Sequence, residues 1–501
     1  MRALAQEFSA YQWAPSTEEL ARHAGLDPVQ ILRFDGNVPP LPLPSTRPAA
    51  IASELARINE YAHGGYPRIH AAIAEYAGVE PGNVVIGAGA DDLLLLAGRA
   101  FAGPGDTVAI PPPPTYPLFR ISAQLAGATV GDGDPALTFC CRPGNPTGEL
   151  GPIPDARPLV VDEAYFEYSE DPGAVGLIDD GVVVVRTFSK IFALASARIG
   201  YALASRDVAA ELNARLAPEP VSTLSVALAL AALVSPPDPA PVIEERERLA
   251  AALRSLGYAP LPSRANFVYV PVEDPAAVAE QLLAAGCVVR VFEDAIRISV
   301  RDPEDDDQLL AALAGEKRAN VTRHVRTTTE TSLRVRLALA GASRVRVGTD
   351  AGLYDHFLEQ LAFHAGFDLV LEGSGDVETG EHHIAEDAAI ALGEALDRAL
   401  GTRAGIARYG DAVVVMDDAR ASAAVDLGGR RHAAIEIDPD PELARHVLTS
   451  FAENGRLALH VESKGVDAHH TAEAAFKAVG RALRAALRTE SDVLPSTKGL
   501  L

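Results

Sequence analysis

Lysine is almost missing from this chain. Only five of its 44 basic residues are lysines, at positions 190, 317, 464, 477 and 498, so Lys190 stands alone ahead of residue 317. Cysteine is equally scarce. Cys140, Cys141 and Cys287, two of them adjacent, exclude a disulfide framework and lead us to expect a reduced, cytoplasmic protein. Apolar runs such as DDLLLLAGRAF are too short to span a bilayer, and MRALAQEFSAYQWAPSTEEL is too interrupted by charge and proline for a signal peptide. Net positive charge is lacking as well. A formal charge of −24 argues against nonspecific binding to nucleic acid or an anionic membrane, although local basic clefts for small anions remain open.

What is present divides the chain. Its 501 residues exceed one ordinary hydrophobic core, and 48% hydrophobic content is ample for two or three. Three of thirteen histidines (His23, His63, His70) and every cysteine lie in the first 320 residues. PEDDDQLLAALAGEKRAN reads as a last helix and a polar joint, so domains are expected at 1–317 and 318–501. The first alternates strands (NVVIGAG, DTVAIPPP, ALTFCCRP, PLVVDEAY, GVVVVRTFS) with helical patterns, including a long helical stretch from Asp207. This predicts a mostly parallel α/β sheet covered on both faces. In the second, HHIAEDAAIALGEALDRAL (382–400) and HHTAEAAFKAVGRALRAAL (469–487) are identical at eleven of nineteen positions. That repeat predicts a duplicated α+β domain, each half strands followed by an amphipathic helix, over about 324–405 and 408–488.

The exceptional Lys190 lies in RTFSKIFALASARIG (186–200). An amine forms a Schiff base with an aldehyde and a guanidinium does not, which would explain the exception if the cofactor is pyridoxal phosphate. That cofactor needs a phosphate cradle, an acid for its pyridine nitrogen, a phenol contact and a ring stack. IGAGADDLLLL can present the amides of Gly89, Ala90 and Asp91 at a helix N-terminus, although most glycine turns are merely turns. VVDEAY puts Asp162 at the carboxyl edge of a strand with Tyr165 beyond it, where α/β sheets bind ligands. PPTYPLF offers Tyr116 as a stacking ring, RPGNPTG offers Asn145, and Thr187, Ser189 and Arg198 flank the lysine with phosphate partners.

These segments, with YAHGGYPR, RIGYA, RANFVYV and IRISV, make residues 1 to about 317 resemble the fold-type I pyridoxal-phosphate aminotransferases, above all histidinol-phosphate aminotransferase. The resemblance implies that Lys190 carries the cofactor and then moves the substrate proton. It also implies that Asp162 pairs with the pyridine nitrogen, while Tyr165 and Asn145 contact the ring oxygen. Ala90, Asp91, Ser189 and Arg198 would surround the phosphate, Tyr66 would come from the partner of a dimer, and Arg297 would bind the anionic group of the amino donor or acceptor. DGNVPP and Gly144-Asn145-Pro146 depart from the family's usual Asn-Glu-Asn and Asn-Asn-Pro-Thr-Gly.

Each HHxxE segment begins a helical pattern, and adjacent histidines on a helix point about 100° apart. His382 and His383, like His469 and His470, are therefore expected to serve different ions, with Glu386 and Glu473 beside them and His356 and His446 upstream. Nitrogen and oxygen ligands without thiolate suit manganese, iron or zinc, and an octahedral site favours manganese. His364 and His460 are left for substrate or packing, His324 and His432 for structure.

With RTTTETSL, YDHFLEQLAFHAGFD, GIARYG, DLGGR and PSTKGL, residues 320–501 closely resemble imidazoleglycerol-phosphate dehydratase. The resemblance implies two manganese ions per site, built between subunits of a large assembly, on His356, His382, His383, Glu386, His446, His469, His470 and Glu473. Glu386 and Glu473 are the candidate catalytic carboxylates. Substrate contacts would fall on Glu330, His364, Arg408, Arg430, Ser496, Thr497 and Lys498. GDVETGEHH and VVMDDA depart from the family pattern without removing a ligand. Together the halves imply consecutive steps of histidine biosynthesis, dehydration of imidazole glycerol phosphate and then transamination of the ketone with glutamate. Another fold-type I enzyme in the first half, or a metal-bound scaffold in the second, is the alternative.

Overall fold

The run VVVVRT explains why the first sheet is covered on both sides. Val182 and Val184 enter one apolar core with Leu159 and Val161, while Val183 and Val185 enter another with Val85 and Val160. Side chains alternate along a strand, so a continuous apolar run needs cover on both faces. The computed structural model describes residues 8, 13–40, 43, 51–316, 321–328, 330–340, 343–349, 351–375, 380–441 and 443–490. It divides into two units, Met1–Lys317 and Arg318–Leu501.

The first unit's main sheet contains β1 (Val84–Gly87), β2 (Thr107–Ala109), β3 (Thr129–Val130), β4 (Leu137–Cys141), β5 (Leu159–Asp162), β6 (Val182–Thr187) and β7 (Gly200–Leu203). Their spatial order is β1-β7-β6-β5-β4-β2-β3. Pairs from β3 across to β6 are parallel, and β7 runs antiparallel to both β6 and β1. A separate antiparallel sheet of Phe267–Pro271, Arg290–Val291 and Ala295–Ser299 shares a core with helices Ala240–Ser255 and Pro303–Leu313. The expected long helix from Asp207 is three helices, Arg206–Asn213, Thr223–Val234 and Ala240–Ser255. Pro218, Pro220, Pro236 and Pro237 fall in the gaps, where a missing N–H and a fixed φ end each run.

In the second unit β8 (Thr322–Thr327), β9 (Thr331–Ala338), β10 (Val345–Gly348), α1 (Gly352–Ala365), β11 (Asp368–Gly375) and α2 (His382–Leu400) come first. β12 (Tyr409–Met416), β13 (Ala419–Asp426), β14 (His432–Asp438), α3 (Ala444–Asn454), β15 (Ala458–Lys464) and α4 (Ala468–Ala486) follow. The sheets are ordered β8-β9-β11-β10 and β12-β13-β15-β14, each with two antiparallel pairings and then a parallel one. Each half thus carries two helices where one was expected, and the upstream histidines sit on the extra ones. Among the described residues no helix is long and apolar enough to cross a membrane.

The helices pack crosswise: α1 against α4, and α3 against α2. A glycine at the same place in each repeat permits it. A Cβ on Gly480 would lie 2.4 Å from the Leu361 carbonyl oxygen, and one on Gly393 would lie 2.6 Å from that of Phe451. Backbone cannot swing aside as a flexible side chain can. Gly393→Ala and Gly480→Ala should therefore each destabilise the second unit by ~1–3 kcal/mol, the cost of an overpacked core. Denaturant unfolding followed in the second unit checks this, and unchanged midpoints for both would remove close approach as the reason for these glycines.

Candidate active sites

β5 and β6 are neighbours, and their carboxyl ends deliver Asp162 and Lys190 to one edge of the sheet. Asp162 is buried, and one of its carboxylate oxygens accepts the Ala164 N–H at 3.1 Å. Burial pushes this carboxyl up to about 7, against the pull of that hydrogen bond and of Lys190. Lys190 Nζ lies 5.4 Å from the centre of the Tyr165 ring. Desolvation first, and then the Arg297 charge, bring its ammonium down to about 8. Tyr165 is buried and accepts a hydrogen bond from Asn37 Nδ2 at 3.0 Å, and burial pushes its phenol up to about 12. Asn37 is itself fixed by Ser299, whose Oγ accepts from its N–H at 2.9 Å and donates to its Oδ1 at 2.8 Å. Arg297 donates to Asn145 Oδ1 at 2.7 Å and to the Asp35 carbonyl at 2.9 Å.

The other end of this cluster is the start of helix Ala90–Phe101, whose first amides have no acceptor within the helix. Gly89 precedes it at φ 86°, and a Cβ there would lie 2.8 Å from Arg198 Nη2. A Cβ on Gly200 would lie 2.8 Å from the Ala90 nitrogen. Arg198, in the left-handed region at φ 49°, reaches Asp91 Oδ2 at 3.1 Å. Thr187 donates to Ser189 Oγ at 3.0 Å. Tyr116 donates to Asp91 Oδ1 at 2.8 Å and sets its ring edge-on to Phe119. Tyr66 donates its hydroxyl proton to the Val221 carbonyl at 2.7 Å.

These residues fit pyridoxal phosphate. Helix amides, hydroxyls and a guanidinium suit its phosphate, a desolvated carboxylate suits a protonated ring nitrogen, and a desolvated amine suits its aldehyde. Because the neutral amine is the nucleophile, uptake of the cofactor by stripped protein should accelerate as pH rises through about 8 and level off above it. Stopped-flow absorbance across that range is the measurement, and a flat profile would contradict a desolvated Lys190.

In the second unit the crossed helices build two three-residue groups. His382 and Glu386 of α2 meet His446 of α3, while His469 and Glu473 of α4 meet His356 of α1. Each half's upstream histidine thus joins the other half's HHxxE. Glu386 stands 3.7 Å from His382 Nε2 and 3.3 Å from His446 Nε2, and Glu473 stands 3.6 Å from His356 Nε2 and 3.3 Å from His469 Nε2. In each group the ligand atoms lie within 4.8 Å of one another, and His446 Nε2 is buried without a hydrogen bond. Such nitrogen and oxygen sets fit a divalent transition metal. Among the described residues His383 and His470 fall outside both groups. His383 Nδ1 is 3.6 Å from Glu330, and His470 Nδ1 is 2.6 Å from Asp418, whose hydrogen bond raises the pKa of that imidazole.

Lys477 and Asn37 were missed by sequence reasoning. Lys477 Nζ lies 2.8 Å from Glu473 Oε1, and although burial alone would raise the Glu473 pKa, this ammonium and its histidines hold it below the usual value. The scarcity that exposed Lys190 could have exposed Lys477 too. Asn37 stood in DGNVPP, noted only as a departure. Arg408 makes paired bonds to Asp426 at 2.6 and 3.0 Å, and the exposed Arg430 approaches the same carboxylate at 3.9 Å. His364 lies in the helix crossing against Gly480, where burial and then Lys477 lower its pKa. Ser496, Thr497 and Lys498 lie outside the described residues.

Comparison with known proteins divides the chain the same way. The family model for aminotransferase class I and II matches residues 30–134 and 133–313, and that for imidazoleglycerol-phosphate dehydratase matches 349–483. An imidazoleglycerol-phosphate dehydratase of Salinispora arenicola is 43% identical over 202 residues, covering 36% of this chain and all of the relative. One of Methanococcoides burtonii is 39% identical over 193 residues, again over its whole length and 37% of this chain. The solved histidinol-phosphate aminotransferase of Sinorhizobium meliloti, in complex with pyridoxal-5'-phosphate, is similar at TM-score 0.54 and 26% identity. That match covers 62% of this chain and 97% of the other.

Proposed function

Because the chain belongs to the aminotransferase class I and II family through its first unit and to the imidazoleglycerol-phosphate dehydratase family through its second, we infer that it is a bifunctional enzyme of histidine biosynthesis. It dehydrates imidazole glycerol phosphate and transaminates the resulting ketone to histidinol phosphate. The observation that carries the reading is the presence in one chain of the desolvated Asp162–Lys190 pair and of both His/Glu groups.

Pyridoxal phosphate, when bound, supplies an aldehyde for amino groups and an electron sink for the carbon that loses a proton. Asp162 would keep the ring nitrogen protonated, and Lys190 would take and return the substrate proton. Tyr165, held by Asn37, and Asn145, held by Arg297, would orient the ring oxygen. Ala90, Asp91, Ser189 and Arg198 would bind the phosphate, and Arg297 the carboxylate of glutamate, the proposed donor. Tyr66, whose hydroxyl bonds Val221 in its own chain, suits a role at the partner's site in a dimer.

In the second unit the two His/Glu groups would hold manganese, which supplies Lewis acidity toward an imidazole nitrogen. Glu386 and Glu473 would move the proton, and Lys477 beside Glu473 favours the ionised form of its carboxyl against the effect of burial. His383 and His470 would complete sites shared with other copies in a larger assembly. Identical sheet order in the two halves supports an origin by duplication. One purified chain given imidazole glycerol phosphate, glutamate, pyridoxal phosphate and manganese should accumulate histidinol phosphate, read by mass spectrometry. Accumulation of the ketone alone would remove the aminotransferase assignment.

A further inference from the structure

Directly behind the first site lies a buried ion pair that the reaction does not use. Glu163, next in the chain after Asp162, and Arg186, four residues before Lys190, are 1% and 3% exposed. Glu163 Oε2 accepts from Arg186 Nε at 3.0 Å and lies 2.9 Å from Nη2, while Oε1 accepts the Ala174 N–H at 2.6 Å. The Glu163 N–H donates to the Val185 carbonyl at 2.8 Å, so backbone and side chain tie the same two strand ends. The guanidinium carbon stands 3.5 Å from the centre of the Phe166 ring. Gly173, at φ 71°, lets the loop come this close: a Cβ there would lie 2.8 Å from both Glu163 Oε1 and Phe166. Glu167, Tyr76 and Tyr201 face the same guanidinium.

Stability does not explain such an arrangement. A buried ion pair is often matched or bettered by apolar residues of similar size, because desolvation offsets the attraction. What the pair does supply is geometry. It fixes the end of β5 to the end of β6, and those ends carry Asp162 and Lys190. Misplacing reacting groups by about 1 Å costs on the order of 100-fold in rate.

We propose that Glu163 and Arg186 are positioning residues that set the separation of Asp162 from Lys190. The inference rests on the pyridoxal-phosphate reading of the first unit. Its test is the double variant Glu163→Leu/Arg186→Met in the full chain, with Arg186→Lys in parallel. Dehydration by the second unit and thermal melting report folding, and the pH midpoint of the visible cofactor band reports the site. The double variant should melt and dehydrate as the unaltered chain does. Its band midpoint should move by about one unit, and its transamination kcat should fall about tenfold or more, with KM for the ketone little changed.

Arg186→Lys, which keeps charge but not the forked contact, should move the midpoint in the same direction by less. If a folded, cofactor-loaded double variant keeps both midpoint and kcat, the proposal is overturned and the pair is structural only. If the double variant does not fold, Arg186→Lys decides by the same two readouts. Failure of the underlying reading is distinguishable, because Lys190→Arg would then keep the visible band.

Discussion

Lys190→Arg should leave a chain that dehydrates at its normal rate, has no visible cofactor band and transaminates at background. Arginine preserves the positive charge, and at a partly buried site it occupies similar volume. It cannot give up its proton at any working pH, so it can neither condense with an aldehyde nor shuttle a substrate proton. Loss of general acid–base transfer alone accounts for about 10²–10⁴-fold, and loss of the covalent link adds to it. The second activity on the same polypeptide separates lost chemistry from a lost fold. Absorbance and both assays on one preparation are sufficient, and a persisting band with normal transamination would mean that the rare lysine has another purpose.

The second large effect comes from the crossed metal groups. His356→Ala alters α1 in the first half, yet the group it breaks is built on His469 and Glu473 in the second. Partners outside the ligand sphere already cost 10–100-fold in metal affinity, so removal of a ligand should weaken that group by more than about 100-fold. His356→Ala and His446→Ala should each lose about half of the divalent metal that the protein binds and nearly all dehydration, with transamination unchanged. Metal analysis of the purified variants gives the answer. Full metal content in His356→Ala would separate this histidine from the HHxxE of α4, and equal dehydration with and without a chelator would dismiss the metal reading altogether.

Much of this was legible because the signals are local. Four valines in a row imply cover on both sides of a strand, DEAY after an apolar run puts a carboxyl at its edge, and a repeated HHxxE marks two equivalent helices. The pairing of those helices was not legible. Nothing in either copy says that His356 will meet His469 at a ring separation of 5.7 Å, because the meeting is decided by which helices cross and by the room that Gly480 leaves. Asn37 was obscured for a similar reason, since its value lies in a bond to Tyr165 across 128 positions. The breaks after Asp207 were legible and were passed over: prolines at 218, 220, 236 and 237 outweigh an apolar pattern that runs on beyond them.

The crossing of α1 onto α4 and of α3 onto α2 also means that neither group closes within one half of the unit. A free-standing half would possess an HHxxE helix and an upstream histidine, but each of these belongs to a group that the other half completes. Two such molecules embracing about a twofold axis could close both groups at once, each lending its histidine to the other. Joining them end to end replaces a concentration-dependent encounter with a tethered one, which raises the effective concentration of one half for the other to the millimolar range for a short linker. Glu330 and Asp418, each one residue ahead of its strand, β9 or β13, set a carboxylate beside His383 and His470, so both halves hold the second histidine of HHxxE in the same way.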